Sequence, residues 1–274
     1  MKPSTHTGYN FAGRHVFVSG GTRGINLGIA QAYAQAGAAV SVMSRDPERV
    51  QQAQDLLAAH GHGALGLVGD VRDYAAVESA LQAAHAKFGA IDVLVSGAAG
   101  NFLAPAAQLS PNGFRAVVDI DLIGSFHVMR ACHGLLRKPG ASIIHITAPQ
   151  SYNPAPLQVH ACAAKAGLDQ MMRVLALEWG QEGVRVNSIS PGPIEGTEGV
   201  ARLSSDEARK NISKRLPLGR FGQLADVAQL ALFLGSEHAS FITGALIPCD
   251  GGASLLGGRN HSSDSELLSA GGRA

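Results

Sequence analysis

The chain alternates short apolar runs with longer stretches in which alanine and leucine recur at helical spacing. The runs at 15–19 (HVFVS), 39–44 (AVSVMS), 64–68 (ALGLV), 91–96 (IDVLVS), 142–147 (SIIHIT), 184–189 (VRVNSI) and 246–248 (LIP) are too short for helices and predict strands. The stretches at 26–36, 47–59, 74–88, 111–137, 157–181 and 224–236 predict the helices between them. Strands that are apolar on both faces and alternate with helices belong in a parallel sheet covered on each side. The expected class is therefore α/β, a doubly wound parallel sheet in one domain. Ligands of such sheets sit beyond the carboxyl ends of the strands.

Chemistry enters where the first run ends, at Ser19-Gly20-Gly21-Thr22-Arg23-Gly24-Ile25-Asn26-Leu27-Gly28. Glycines at a strand-to-helix turn let backbone amides and the positive end of the helix meet a pyrophosphate. The turn is assigned to a dinucleotide, with Gly20, Thr22, Arg23, Gly24 and Ile25 as its contacts. The second run ends in Met43-Ser44-Arg45, where a fold selective for NAD would place a carboxylate on the ribose hydroxyls. Ser44 and Arg45, with Arg23 as a second cation, accept a 2′-phosphate instead. NADP(H) is the expected cofactor. Asp70 and Val71 follow the third run at the adenine end, and small residues at 96–100 (SGAAG) let the cofactor lie flat.

The 274 residues are 46% hydrophobic and 16% charged, which suits one domain with a large core. A formal net charge of +1 supplies no field for gripping nucleic acid. No run approaches the roughly 20 apolar residues of a membrane span, so neither nucleic acid nor membrane is an expected partner. Cys132, Cys162 and Cys249 have neither CxxC nor metal-ligand spacing, which predicts buried thiols in a reducing compartment and no metal. Residues 1–10 are polar, and 272–274 read Gly-Arg-Ala in place of a Ser-Lys-Leu-like address, so the expected location is cytoplasmic. The Gly- and Ser-rich stretch 257–274 reads as a flexible tail beyond a domain at 11–256.

The glycine turn, Pro191-Gly192-Pro193-Ile194-Glu195-Gly196-Thr197 and Asp250-Gly251-Gly252 together resemble the short-chain dehydrogenase/reductase family over residues 11–256. The resemblance implies a single-domain Rossmann fold. It also implies a loop, from Pro191 and Gly192 onward, in which the backbone of Ile194 and the hydroxyl of Thr197 hold the nicotinamide carboxamide. The long Ala-rich stretches 111–137 and 157–181 are apolar on more than one face and, as in related tetramers, predict a homotetramer.

A tyrosine four residues before a lysine is that family's usual acid, which protonates a carbonyl oxygen. Here Lys165 is present, but Ala161 stands at the tyrosine position, Ala148 at the serine position and Asp121 at the asparagine position. This departure resembles the 2,4-dienoyl-CoA reductases, particularly the peroxisomal type. The further likeness lies in 97–102 (GAAGNF), Asp119-Ile120-Asp121, Leu157-Gln158-Val159-His160-Ala161, Glu178-Trp179-Gly180 and 191–199 (PGPIEGTEG). It implies NADPH-dependent reduction of a conjugated 2,4-dienoyl-CoA or related enoyl thioester, with hydride added at the δ carbon and the proton delivered to carbon.

By the same resemblance, Asp121 holds and activates the water that supplies this proton, and Lys165 binds the nicotinamide ribose. Asp169, four residues beyond Lys165, is expected to face it across one helical turn. His160 is either an acid or a packing and substrate contact, since an imidazole titrates near neutrality. Arg72 and Arg202 match positions that meet coenzyme A phosphates, and Asn101 and Phe102 flank the acyl chain. Asn26 departs from the family's glycine. The competing reading is a non-catalytic NADP-binding sensor or scaffold that lost its acid.

Overall fold

The computed structural model describes residues 8–197, Val200 and 206–256. Seven strands form one sheet: β1 (His15–Ser19), β2 (Ala39–Ser44), β3 (Ala64–Val68), β4 (Val93–Ser96), β5 (Ser142–Ile146), β6 (Arg185–Pro191) and β7 (Leu246–Cys249). Their spatial order is β3-β2-β1-β4-β5-β6-β7, and every pairing is parallel. Alternation along each strand divides the core into two layers. Val16, Val18, Val93, Val95, Ile144 and Ile146 pack under α1 (Gly24–Gln35) and its neighbours, whereas Phe17, Leu94 and Ile143 pack on the opposite face. Both layers exclude water, which is why the strands lack the polar alternation of a half-exposed sheet.

Short polar side chains start three of the helices. Asp46 accepts from the amides of Glu48 and Arg49 at 3.1 and 3.2 Å to open α2 (Pro47–Ala58). Asp73 accepts from Ala75 and Ala76 to open α3 (Tyr74–Phe88), and Ser110 accepts from Gly113 to open α4 (Pro111–Val118). Each satisfies amides that a helix start leaves without partners, typically about 1 kcal/mol of stabilisation. Tyr33 donates to Ala231 O at 2.6 Å, fastening α1 to α8 (Leu224–Gly235).

The continuous helix expected over 111–137 is not what forms. After α4 the backbone widens into a π-helical turn at Asp119–Ile123, resumes as α5 (Gly124–Cys132) and ends in a 3₁₀ turn at His133–Leu135. The apolar pattern runs on unbroken through the π turn, so periodicity alone conceals it. At Gly124 a Cβ would lie 2.6 Å from Val71 Cγ2, so the chain passes close to the β3–α3 connection only because this residue is glycine. A π turn re-aims side chains within a helix, and it is frequent at functional sites.

Two smaller differences are local. The fourth run pairs as a strand only from Val93, Ile91 contributing a lone bridge to Leu136. Helix α7 (Asp206–Arg215), sequence DEARKNISKR, was not expected because so few apolar residues mark a buried face. Between β5 and α7 lies α6 (Val159–Trp179). No helix among the described residues is long and apolar enough to cross a membrane.

Candidate active site

The carboxyl ends of β1, β2, β4 and β5 open on a cavity of about 680 Å³. Its floor begins at Gly20, whose φ of +71° suits glycine. A Cβ at Gly20 would lie 2.8 Å from Ala98 Cα, so this glycine lets the turn close against the exit of β4. Gly24 has φ +53° and opens α1, and no side chain caps that helix's first turn. Thr22, Arg23, Gly24 and Ile25 all line the cavity there. A cradle too tight for side chains, ending on an uncapped helix start, fits a dinucleotide pyrophosphate.

Asn26 completes the cradle in an unexpected way. Its Nδ2 donates to Gly97 O at 2.7 Å and to Gly20 O at 3.3 Å, tying the exits of β1 and β4 together with a side chain. At the end of β2, Ser44 is half-buried and Arg45 is exposed, and both line the cavity. Asp70 and Val71 line it beyond β3. Asp70 is tied to Arg72, with Arg72 Nε at 3.0 Å from Oδ1 and Nη2 at 2.5 Å from Oδ2. The Arg72 guanidinium holds the Asp70 carboxyl below the usual carboxylate range. Arg72 is therefore ion-paired with Asp70 and stands outside the cavity wall.

The chemical centre lies between the π turn and α6. Asp121 is 1% exposed, and its Oδ1 accepts from the Gly100 amide at 2.8 Å. Its Oδ2 lies 3.2 Å from Lys165 Nζ, which also donates to Ile146 O at 3.3 Å. Lys165, Asp121, Ala148 and Ala161 share the cavity wall, so the two alanines mark where hydroxyls would stand. The expected contact of Asp169 with Lys165 is not formed. Lys165 is instead held by Asp121 and the Ile146 carbonyl, which come from other segments. Asp169 is 3% exposed and neither carboxylate oxygen has a hydrogen-bond partner among the described residues.

His160 is fully buried and does not contribute to the cavity wall. Its Nε2 lies 3.1 Å from Phe102 O, and its ring stands 4.6 Å from the Phe102 ring, so it fastens the loop after β4. Its Nδ1 has no hydrogen-bond partner among the described residues. Phe102 itself stays 39% exposed. Deeper in the fold, His145 on β5 is buried against Met129, and burial pushes its imidazole down to about 3.

In the loop after β6, Thr197 Oγ1 donates to Ile194 O at 2.6 Å and lines the cavity with Gly196. Pro191, Gly192 and Ile194 stand behind that surface. Gly192 N donates to Cys249 O, and Ile194 is 2% exposed. Arg202 lies outside the described residues. Sequence reasoning passed over two wall residues, Ile120 and Gln150, and the partner of Gln150, Gln158. The only signals for Ile120 and Gln158 were their places in the 119–121 and 157–161 likenesses; nothing local marked Gln150. All three cysteines are free, Cys132 being buried and its thiol pushed up by burial.

A family model described as enoyl-(acyl carrier protein) reductase, within the short-chain dehydrogenases, matches residues 20–254. The chain belongs to the short-chain dehydrogenase/reductase family. It is similar to the peroxisomal 2,4-dienoyl-CoA reductase of Saccharomyces cerevisiae, 39% identical over 251 residues that cover 90% of this chain and 86% of that one. The peroxisomal 2,4-dienoyl-CoA reductase of Pongo abelii is 43% identical over 244 residues, covering 87% and 83%. That of Arabidopsis thaliana is 38% identical over 250 residues, covering 88% and 84%.

Among solved structures, a short-chain dehydrogenase from Bacillus anthracis superposes with a TM-score of 0.79 at 34% identity, covering 88% of this chain and 96% of that one. A dehydrogenase/reductase from Sinorhizobium meliloti gives 0.83 at 30%, covering 90% and 98%. This family member is thus an oxidoreductase of Rossmann fold, from a family that uses a nicotinamide cofactor. The cytoplasmic location expected from the sequence is corrected by these relatives, whose names place them in peroxisomes. Compartment addresses are read by receptors, and neither composition nor reduced thiols report them.

Proposed function

We propose that this short-chain dehydrogenase/reductase reduces a conjugated 2,4-dienoyl-CoA, using NADPH, to an enoyl-CoA with its remaining double bond at C3. The observation that carries the reading is the buried Lys165–Asp121 ion pair on a cavity wall where Ala148 and Ala161 replace hydroxyls. A wall without a phenol has no acid for a carbonyl oxygen, so simple ketones are poor substrates. A dienoyl thioester does not need one. The bound nicotinamide supplies hydride to the δ carbon of the substrate, and its electron pair moves through the diene onto the thioester oxygen. When the thioester carbonyl re-forms, the proton is taken at the α carbon, which leaves the C3 double bond.

In this scheme Lys165 binds the nicotinamide ribose and keeps the potential at the oxygen positive. Asp121 fixes Lys165 and, with lone pairs left after its two protein contacts, holds the water that protonates carbon. Asp169, buried with no hydrogen-bond partner among the described residues, is a second carboxylate on the helix of Lys165 and keeps the potential there negative. Ser44 and Arg45 favour the 2′-phosphate of NADPH, and Gly20, Thr22, Arg23, Gly24 and Ile25 hold its pyrophosphate. Asp70 and Val71 contact its adenine, and the segment from Pro191 to Thr197 holds its carboxamide. Coenzyme A phosphates meet Arg202 and the exposed edge of Arg72, while Asn101 and Phe102 border the acyl chain. The assembly is a homotetramer.

The test is NADPH oxidation measured side by side with 2,4-hexadienoyl-CoA, crotonyl-CoA and a 3-ketoacyl-CoA. Turnover of the dienoyl thioester far above the other two is expected. A second reading, a non-catalytic NADP-binding protein, is favoured by Ala148 and Ala161 alone. It predicts tight NADPH binding with no turnover of any of the three.

A further inference from the structure

Three carboxamides meet on the wall that the missing hydroxyls leave. Gln158, the residue at the N-cap of α6, offers Oε1 to Asn101 Nδ2 at 2.7 Å and to Gln150 Nε2 at 3.2 Å. They come from separate segments: the loop after β4, the 3₁₀ turn Pro149–Ser151 after β5, and the start of α6. Asn101 and Gln150 line the cavity beside Ala148, Ala161 and Lys165. The junction is built with care. Leu157 adopts φ +65°, rare for a branched side chain, and its carbonyl accepts from the Ala104 amide at 2.9 Å. That turn delivers Gln158 to the other two amides.

Resting on the dienoyl-thioester reading above, we propose that Gln150, positioned by Gln158 and accompanied by Asn101, forms the oxyanion site for the thioester oxygen. A carboxamide nitrogen carries two protons, so the bond to Gln158 leaves Gln150 a second N–H for the substrate. Gln150 stands two residues after Ala148, the position at which a serine hydroxyl would meet the same oxygen.

The chemical consequence sets reaction type. An amide N–H stabilises a negative oxygen but does not surrender its proton at neutral pH, unlike a phenol beside an ammonium. When the electron pair from the δ carbon reaches the thioester oxygen, that oxygen is held as an anion and is not protonated. The pair then returns to re-form C=O, and the proton from water adds at carbon. Exchanging hydroxyls for amides thus turns a carbonyl-reducing wall into one that reduces C=C and spares C=O.

The experiment pairs kinetics with a spectrum that needs no turnover. Gln150→Leu is expected to lower kcat for 2,4-hexadienoyl-CoA on the order of 10²-fold, the scale for one oxyanion donor, with NADPH affinity unchanged. Infrared difference spectra of bound hexanoyl-CoA carrying a ¹³C thioester carbonyl should show its stretch at higher frequency in Gln150→Leu than in the unmodified protein. Gln150→Glu should be slower still at neutral pH, because a carboxylate repels the oxyanion, and should recover as the pH falls and the carboxyl becomes a donor. An unmoved carbonyl band, or an unchanged kcat in Gln150→Leu, overturns the assignment while leaving the dienoyl-CoA reading intact. An unmodified protein that binds NADPH but does not oxidise it with 2,4-hexadienoyl-CoA overturns both.

Discussion

Lys165 Nζ lies 3.2 Å from Asp121 Oδ2, and the two residues reach each other from different elements, a helix after β5 and a π turn after β4. The lysine's carboxylate partner thus lies across the site, with the Gly100 amide on the far side of the carboxylate. The sequence set Asp169 against Lys165, and in the structure Asp121 takes that place. Asp121 orients the lysine and faces the cavity, while Asp169 lies outside the cavity wall.

Asp121→Ala should therefore leave NADPH binding nearly intact and lower dienoyl-CoA turnover by roughly 10²-fold or more, the scale of a lost acid-base group. Lys165→Ala should weaken cofactor binding as well as turnover. Fluorescence titration of NADPH and single-turnover rates for both variants check this. Full activity in Asp121→Ala rejects the role given to that carboxylate.

Most of the sheet was legible because buried parallel strands announce themselves as uninterrupted apolar runs: 15–19, 39–44 and 64–68 coincide with β1, β2 and β3. The glycine turn that lines the cavity was legible for a similar reason, since its glycines and its first helix are consecutive in the chain. What stayed hidden depends on contacts between distant segments. The π turn continues the apolar pattern of α4, so nothing local separates it from an ordinary helix. The amides of Asn101, Gln150 and Gln158 meet only when three loops converge, and none is unusual by itself. Arg72 adds a further case: its place in a motif did not reveal that its charge is paired with Asp70, two residues away.

Arg45 tests the cofactor. It is exposed at the end of β2 on the cavity wall, and no carboxylate replaces it at that position. NADPH should bind at least about tenfold tighter than NADH, equivalent to about 1.4 kcal/mol. Arg45→Ala should erase most of that difference and leave NADH affinity unchanged. Equal affinities in the unmodified protein reject the assignment.

Asp92 contributes to stability in acid. It is 5% exposed and accepts from Arg137 Nε at 2.5 Å, Arg14 Nη1 at 2.9 Å and the His15 amide at 2.9 Å. Burial works to raise its pKa, but the bonds from Arg137, His15 and Arg14 outweigh it and hold the carboxyl below its ordinary value. A depressed carboxylate stabilises the fold fully above its unfolded value of 3.8, and this is lost as pH falls through the folded value. Asp92→Asn should cost about 2 kcal/mol near neutrality, less than a fully buried pair because Arg14 and Arg137 remain partly in water. It should also flatten the stability curve below pH ~4, where the unmodified protein loses this contribution. Urea titrations at several pH values measure both, and an unaltered acid limb contradicts the account.

The last expectation concerns the surface of the π turn, α5 and α6. Ile123 is 40% exposed and Phe126 42%, three residues apart on one face; Val174 is 42% exposed and Leu177 81%, again three apart. Each pair puts apolar side chains on one helix face that water penalises and that a copy of the same surface can cover, the arrangement of a two-fold interface. Covering it also bears on catalysis, because Ile123 ends the π turn that carries Asp121. A homotetramer is expected at micromolar concentration by light scattering. Leu177→Arg, which buries a charge in that interface, should shift the mass to a smaller species without unfolding the monomer, since the side chain contributes little to the core of a single copy. A monomeric mass for the unmodified protein, or an unchanged mass for Leu177→Arg, places the interface elsewhere.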